Sequence, residues 1–283
     1  MEMLNESYEC KKLPSSVCNA ILTLIYKKDE KELLQNYRPI SLNNYDYKII
    51  SFALSSRLQT VISKIISKDQ SAYIRKRYIG FTARYLLDVI DYCETSKTPG
   101  IMLALDFKKA FDTLEWNFML ETLDKYGFGN YFKNWVNILY TEPTITIKNN
   151  GWLSKKLTME RGIRQGCPLS ALLFILATEI LSTNLKTNEN ITGIKIGTHE
   201  SIICQYADDT TLTLGNKKSV AHALKIIDDF FHVAGLQLNI KKCVGLWLGP
   251  LKDGPGSFEN IAFTNNPIKC LGIYLGTDIH KMY

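Results

Sequence analysis

The sequence predicts an α+β fold, and three kinds of segment predict it. Long stretches repeat apolar residues at helical spacing, short β-branched and apolar runs lie between polar breaks, and an Asn150-Gly151 turn signal joins two of those runs. With 283 residues, 46% of them hydrophobic, the chain has the material for a large globular core.

Taken in order, residues 21–25 read as a strand. Tyr45, Ile49, Ala53, Leu54, Leu58, Val61, Ile62 and Ile65 recur at helical spacing, so the pattern predicts one core-facing helix over residues 43–66. Ile101-Met102-Leu103-Ala104-Leu105 is a continuous apolar run fit for a buried strand, and it delivers Asp106 to its C-terminal end. Residues 144–148 and 152–158 flank Asn149-Asn150-Gly151 and predict a hairpin. After Pro168, residues 172–181 are apolar on nearly every face, interrupted by Thr178 and Glu179, which predicts a helix buried on most sides. The runs 201–205 and 210–214 form a second hairpin, with Asp208 and Asp209 at its tip. Val220, Leu224, Ile227, Phe231 and Ala234 mark a helix ending near Gly235. Gly249, Pro250, Gly254, Pro255 and Gly256 read as a flexible connection before a last strand pair.

Composition sets the class of partner without naming one. Lys and Arg number 34 against 28 Asp and Glu, a net charge of +6 that favours polyanions. The seven cysteines are odd in number, scattered and never spaced as C-x-x-C, so they read as reduced, intracellular core thiols. No apolar run is long enough to span a bilayer, and the start, with Glu2, Glu6 and Glu9, is neither a signal peptide nor a transit sequence; no membrane partner is expected.

Chemistry enters with the three carboxylates at strand ends. Adjacent aspartates repel each other and gain nothing in a turn unless a cation or solvent compensates them. Magnesium takes carboxylate oxygens together with substrate phosphates, and two such ions about 3.5–4 Å apart stabilise both the attacking and the leaving oxygen of an in-line displacement. Alone, an Asp-Asp pair is more often a polar hairpin tip. Its company raises it: Tyr37-Arg38-Pro39-Ile40-Ser41-Leu42, then Ala104-Leu105-Asp106-Phe107-Lys108-Lys109-Ala110-Phe111-Asp112, then Arg161-Gly162-Ile163-Arg164-Gln165-Gly166-Cys167-Pro168-Leu169-Ser170, all before Tyr206-Ala207-Asp208-Asp209.

With those motifs in that order, the chain resembles the reverse transcriptase domain of non-LTR (LINE-type) retrotransposons, from about Ile21 to Leu275. The likeness continues in Gly235-Leu236-Gln237-Leu238-Asn239-Ile240-Lys241-Lys242 and in Ile268-Lys269-Cys270-Leu271-Gly272-Ile273-Tyr274-Leu275, similar to the primer-grip hairpin. The resemblance implies a right-hand polymerase fold of fingers and palm with an antiparallel palm sheet. Residues 1–100 would be an N-terminal segment and fingers, and residues 101–283 the palm, with 116–160 a finger-side insertion and the primer grip near 268–275.

The same resemblance implies an RNA-directed DNA polymerase. It would use an RNA template, a DNA primer, deoxynucleoside triphosphates and two Mg2+ ions, for which Mn2+ can substitute. Asp106 and Asp208 would bridge the metals while Asp209 braces them. Arg38 would hold the triphosphate, Ala110 would leave room for it, and Phe111 would exclude a ribose hydroxyl, which argues against a ribonucleotide polymerase. Gln165 and Gly166 would support the nucleotide, and Lys242 would protonate or steady the departing pyrophosphate. Leu271 and Gly272 belong to the primer grip. Asp112 takes a structural role, and Cys167 is a packed thiol.

Arg75-Lys76-Arg77, with Tyr73 and Tyr78 beside it, suits single-stranded template through phosphates and stacking, although the family more often has Pro-Gly-Arg there. Because the sequence stops at Tyr283, the thumb, an upstream endonuclease and a Cys/His tail of full-length relatives are expected to be missing. The alternative is a catalytically silent remnant that only binds nucleic acid. Either would act inside the cell, in the nucleus or a cytoplasmic ribonucleoprotein.

Overall fold

The computed structural model describes residues 2–276. They fall into two compact units: residues 2–65 with 111–176, and residues 66–110 with 177–276. The chain passes between units after Ile65, Ala110 and Leu176.

The first unit is built on a five-stranded sheet in the order Tyr37–Leu42, Asn19–Tyr26, Thr144–Asn149, Trp152–Leu153, with Leu157–Thr158 also paired to Thr144–Asn149. Asn19–Tyr26 runs antiparallel to the first of these and parallel to Thr144–Asn149. Asn150 and Gly151 lie between the paired Asn149 and Trp152 with φ of 47° and 85°. Two positive φ values in a two-residue loop make the type I′ turn that Asn-Gly favours.

The helix expected over 43–66 is observed as Tyr45–Leu58 and Ile62–Ile65. Asn44 caps the first part, its side chain accepting from the Asp46 N–H. Thr60 explains the break, because its hydroxyl donates to the Arg57 carbonyl and competes with the helical ladder. The buried stripe is Tyr47, Ile50, Leu54 and Leu58. Tyr45 and Ile49, expected to face the core, are instead 82% and 62% exposed. Their spacing satisfied one helical face, but the packed face is rotated from it. Arg164 lies deep in the unit at 2% exposure. Its guanidinium donates to Asn43 Oδ1 at 3.1 Å and to the Cys18 carbonyl, and lies 4.5 Å from the Tyr47 ring centroid. Those carbonyl and ring partners, rather than a carboxylate, compensate the buried cation.

The second unit is built on a six-stranded sheet in the order Ser257–Phe258, Ile261–Thr264, Val244–Leu248, Gly100–Leu105, Asp209–Leu214, Ile203–Tyr206. Gly100–Leu105 is central and almost wholly buried, which explains its unbroken apolar run. The sheet is antiparallel except where Val244–Leu248 runs parallel to Ile261–Thr264. The glycine- and proline-rich connection expected before the last strand pair leads first into Ser257–Phe258 and Ile261–Thr264, strands too short to show a period. Helix Ile79–Thr95 packs Leu86, Val89, Ile90 and Cys93 against Met102, Cys204, Leu246 and Leu248, and the hairpin of Ile268–Cys270 with Ile273–Leu275 closes the same cluster through Ile268 and Leu275. Helix Lys217–Ala234 starts where the Asn216 side chain accepts from the Ser219 N–H and ends at Gly235, φ 79°.

Helix Ser170–Thr187 begins in the first unit and ends in the second. In its second half Glu179, 4% exposed, accepts from the Ser67 N–H at 3.1 Å and the Ser67 hydroxyl at 3.2 Å. Among the described residues no helix is long and apolar enough to cross a membrane.

Candidate active site

The carboxylates are set by strand register. Leu105 pairs with Thr210 across Gly100–Leu105 and Asp209–Leu214, so one step further along the antiparallel ladder Asp106 stands opposite Asp209. Alternation sends both toward the face that carries Ala104 and Thr211. Tyr206 pairs with Asp209, which leaves Ala207 and Asp208 as a two-residue loop. Ala207 has φ 59° and Asp208 does not have a positive φ, the pattern of a type II′ turn. Glycine fills its first position freely, whereas alanine there costs about 1–2 kcal/mol. Asp106 and Asp208 are half-buried and Asp209 is exposed. Tyr73 stands near them: burial pushes its phenol up, and Asp208, Tyr206 and Asp209 add to the shift.

Past its strand, the segment carrying Asp106 continues beside residues 237–239. The Asn239 N–H donates to the Asp106 carbonyl at 2.7 Å, the Lys108 N–H donates to the Gln237 carbonyl at 2.8 Å, and Phe107 bridges Leu238. Lys242 follows in the short turn Ile240–Lys242, its side chain exposed. Leu271 and Gly272 link the paired Cys270 and Ile273 with φ of 52° and 81°, a type I′ turn. That hairpin lies on the carboxylate face, since the Thr211 hydroxyl is 3.3 Å from Cys270 Sγ.

The basic triplet divides. Arg75 and Lys76 are exposed. Arg77 turns inward, donating to the carbonyls of Ile66, at 2.9 Å, of Ser67 and of Gln70. Of the three cations expected to meet template, the Arg77 guanidinium is thus committed to backbone.

Arg38, Phe111, Gln165 and Gly166 lie in the first unit, drawn together from three distant segments. Arg38 is exposed in Tyr37–Leu42, paired through its backbone with Ile25. Three residues on, the Ser41 N–H donates to the Gln165 carbonyl at 2.8 Å. Gly166 has φ 106°, and a Cβ there would lie 2.9 Å from the Ser41 carbonyl oxygen, so both conformation and space require glycine. Gln165 Nε2 donates to Asp112 Oδ1 at 3.0 Å. The Ile163 N–H donates to the Phe111 carbonyl at 2.7 Å, and the Phe111 ring stacks on Phe174 with centroids 4.4 Å apart and planes 12° from parallel. Ala110, buried, closes the second unit's share of the same motif.

Among the described residues no three His, Cys, Asp or Glu side chains form a ready-made metal cage. The donors that share neighbouring strand ends are all carboxylate oxygens, the ligands that magnesium takes in ones and twos beside substrate phosphates. They fit a divalent ion whose coordination the substrate completes.

The family model described as Reverse transcriptase (RNA-dependent DNA polymerase) matches residues 25–275. The chain belongs to the reverse transcriptase family. This reverse transcriptase domain is 31% identical over 280 residues to the Transposon TX1 uncharacterized 149 kDa protein of Xenopus laevis, covering 98% of the chain and 21% of that protein. It is 27% identical over 243 residues to the Retrovirus-related Pol polyprotein from type-2 retrotransposable element R2DM of Drosophila melanogaster, covering 86% of the chain and 22% of that protein. These are non-LTR retrotransposon proteins, so the expected family stands, and the domain spans about a fifth of their length. Among solved structures, it is similar to telomerase from Candida albicans in complex with a TWJ fragment of telomeric RNA, at TM-score 0.64 and 13% identity over 98% of this chain and 47% of that one. Apo telomerase from Candida tropicalis gives TM-score 0.63 at 14% identity over 92% and 47%. At such identities the likeness is one of fold, and it bears out the expected polymerase architecture.

Gln70, Arg164 and Glu179 were not read as site or support residues from sequence. Glu179 alone left a trace, a charge inside an apolar run; Gln70 meets backbone groups and Arg164 a carbonyl, the Asn43 carboxamide and the Tyr47 ring, all distant in the chain, which leave no period or spacing to find.

Proposed function

We propose that this domain extends a primer 3′-hydroxyl along an RNA template, using deoxynucleoside triphosphates and two Mg2+ ions for which Mn2+ can substitute. The observation that supports this most is the pairing that sets Asp106 opposite Asp209, with Asp208 in the adjoining turn. Held by Asp106, Asp208 and the substrate phosphates, the ions would supply Lewis acidity at the attacking and leaving oxygens. Asp209, exposed beside Asp106, braces the charge balance.

Arg38 presents a planar guanidinium whose bidentate geometry suits a triphosphate. The Phe111 ring, held flat on Phe174, is a rigid wall that excludes a 2′-hydroxyl by volume. Ala110 and Gly166 let backbone approach the nucleotide, and Gln165 is oriented for it by Asp112. Lys242 carries an exposed ammonium that protonates or steadies the departing pyrophosphate. Arg75 and Lys76 track template phosphates, Tyr73 and Tyr78 offer rings for bases, and Leu271 and Gly272 support the primer end. An intracellular setting, nuclear or ribonucleoprotein, belongs to the same reading.

The test is extension of a primed RNA template by the purified domain with and without Mg2+ or Mn2+. Extension should require the ion, and Asp208→Asn should abolish it. Equal extension by the variant overturns the site assignment. Primer–template binding without extension by the parent would favour a catalytically silent nucleic-acid-binding domain.

A further inference from the structure

We propose that Gln70 is a positioning residue for the catalytic turn: its carboxamide grips the peptide groups of Ala207 and so sets the direction of Asp208. Gln70 is 0% exposed. Its Oε1 accepts from the Ala207 N–H at 3.0 Å and from the Ala72 N–H at 2.9 Å, while its Nε2 is 3.4 Å from the Ala207 carbonyl. Two N–H groups facing one atom identify that atom as the oxygen, so the carboxamide orientation follows from its partners. Both polar groups of one residue are thus held by one side chain.

That residue needs holding. Ala207 occupies the left-handed region, φ 59°, at the turn position that glycine fills without strain. A non-glycine residue stays there only where its surroundings over-determine it. Ala207 is itself buried, and the residue after it is Asp208, so a few degrees of relaxation at Ala207 would swing the carboxylate. A glutamine has the donor, the acceptor and the reach for this. Leucine has neither polar group, and an ionised glutamate lacks the donor.

The grip is anchored on both sides. Residues 69–71 run as an extra strand along the sheet edge: Gln70 bridges Gln205 in parallel, the Gln205 N–H donates to the Asp69 carbonyl at 2.8 Å, and the Ser71 N–H donates to the Gln205 carbonyl at 3.0 Å. The segment is tied down by Arg77 on the carbonyls of Ile66, Ser67 and Gln70, by Glu179 on Ser67, and by Lys186 Nζ on Asp69 Oδ2 at 2.7 Å. Arg77 is therefore part of the support for the catalytic turn.

This inference rests on the reading of Asp208 as a metal ligand, so the test carries a readout that does not. In the whole chain, Gln70→Leu should speed hydrogen exchange at the Ala207 amide about tenfold or more while Cys204 and Thr211, paired in the ladder, stay protected. Mn2+ binding, followed by electron paramagnetic resonance, should weaken about tenfold, and by only about twofold when the change is made in the Ala207→Gly background, where glycine holds the turn without strain. Gln70→Glu, which keeps the acceptor, should retain Ala207 protection, and it decides the matter should Gln70→Leu fail to fold. Unchanged Ala207 exchange in Gln70→Leu, lost protection in Gln70→Glu, or uniform loss along the whole hairpin with Mn2+ binding intact overturns the proposal. If Mn2+ binding by the parent proves independent of Asp208, the metal reading fails by itself, and the exchange pattern still decides whether Gln70 holds the turn.

Discussion

Phe111 illustrates what one side chain can be asked to decide. Its ring is half-buried and stacked on Phe174, so its position is fixed by packing within the protein. A pocket that excludes a hydroxyl by volume loses that selectivity when the volume goes, whereas one that reads it by hydrogen bonding would not. Phe111→Val is thus expected to lower the ratio of kcat/KM for deoxynucleotide over ribonucleotide by about tenfold or more. An unchanged ratio would assign the ring to packing against Phe174 alone. Neighbouring Asp112 accepts from the Gln165 carboxamide.

At the scale of elements, helix Ser170–Thr187 carries a buried carboxyl that the sequence marked only as an interruption. Burial raises the Glu179 carboxyl above its ordinary 4.5; the Ser67 bonds and Lys186 oppose the shift, and Asp69 adds to it. Well below pH 4.5 the group is protonated folded and unfolded alike. As pH rises the unfolded chain loses that proton first, so the folded state is progressively disfavoured until its own raised value is passed. Glu179→Gln removes the titration and can still accept from the Ser67 N–H. Its melting temperature relative to the parent should therefore increase from pH 4.5 upward and then level off, as calorimetry across that range would record. A difference constant with pH would mean that Glu179 is not the titrating group. The same helix explains why residues 172–181 read as apolar on nearly every face: Phe174, Ile175, Leu176 and Ala177 are all buried.

For the molecule as a whole, a net charge of +6 is modest, and what matters is which cations remain available to a polyanion. Arg75 and Lys76 are exposed, while Arg77 is committed to three carbonyls. Replacing Arg75 and Lys76 with alanine should weaken template binding and flatten its salt dependence by a log–log slope of roughly 0.7 for each single-strand phosphate no longer neutralised. Arg77→Ala should leave that slope unchanged and lower thermal stability instead, since three carbonyls lose their donor. Binding isotherms at several salt concentrations distinguish the two. Identical slopes in the parent and the Arg75 and Lys76 variant would return the patch to solvated surface.

The sequence by itself determined the order of the motifs, the strand that carries Asp106, the hairpin that carries Asp208 and Asp209, the Asn150-Gly151 turn and the end of a helix at Gly235. Each is written locally, in a period of two or 3.6 residues or in a turn residue whose backbone preference is intrinsic. Only the tertiary structure decided that Tyr45 and Ile49 face outward, that Arg77 turns in, that Arg164 is buried on carbonyls and a ring, and that Gln70 holds Ala207. These depend on side chains bonded to backbone, which every residue possesses and no spacing advertises, and for Arg164 and Gln70 on partners distant in the chain. Burial direction and carbonyl partners are properties of the packed chain, and they exist only once strands such as Gly100–Leu105 and Asp209–Leu214 have met in register.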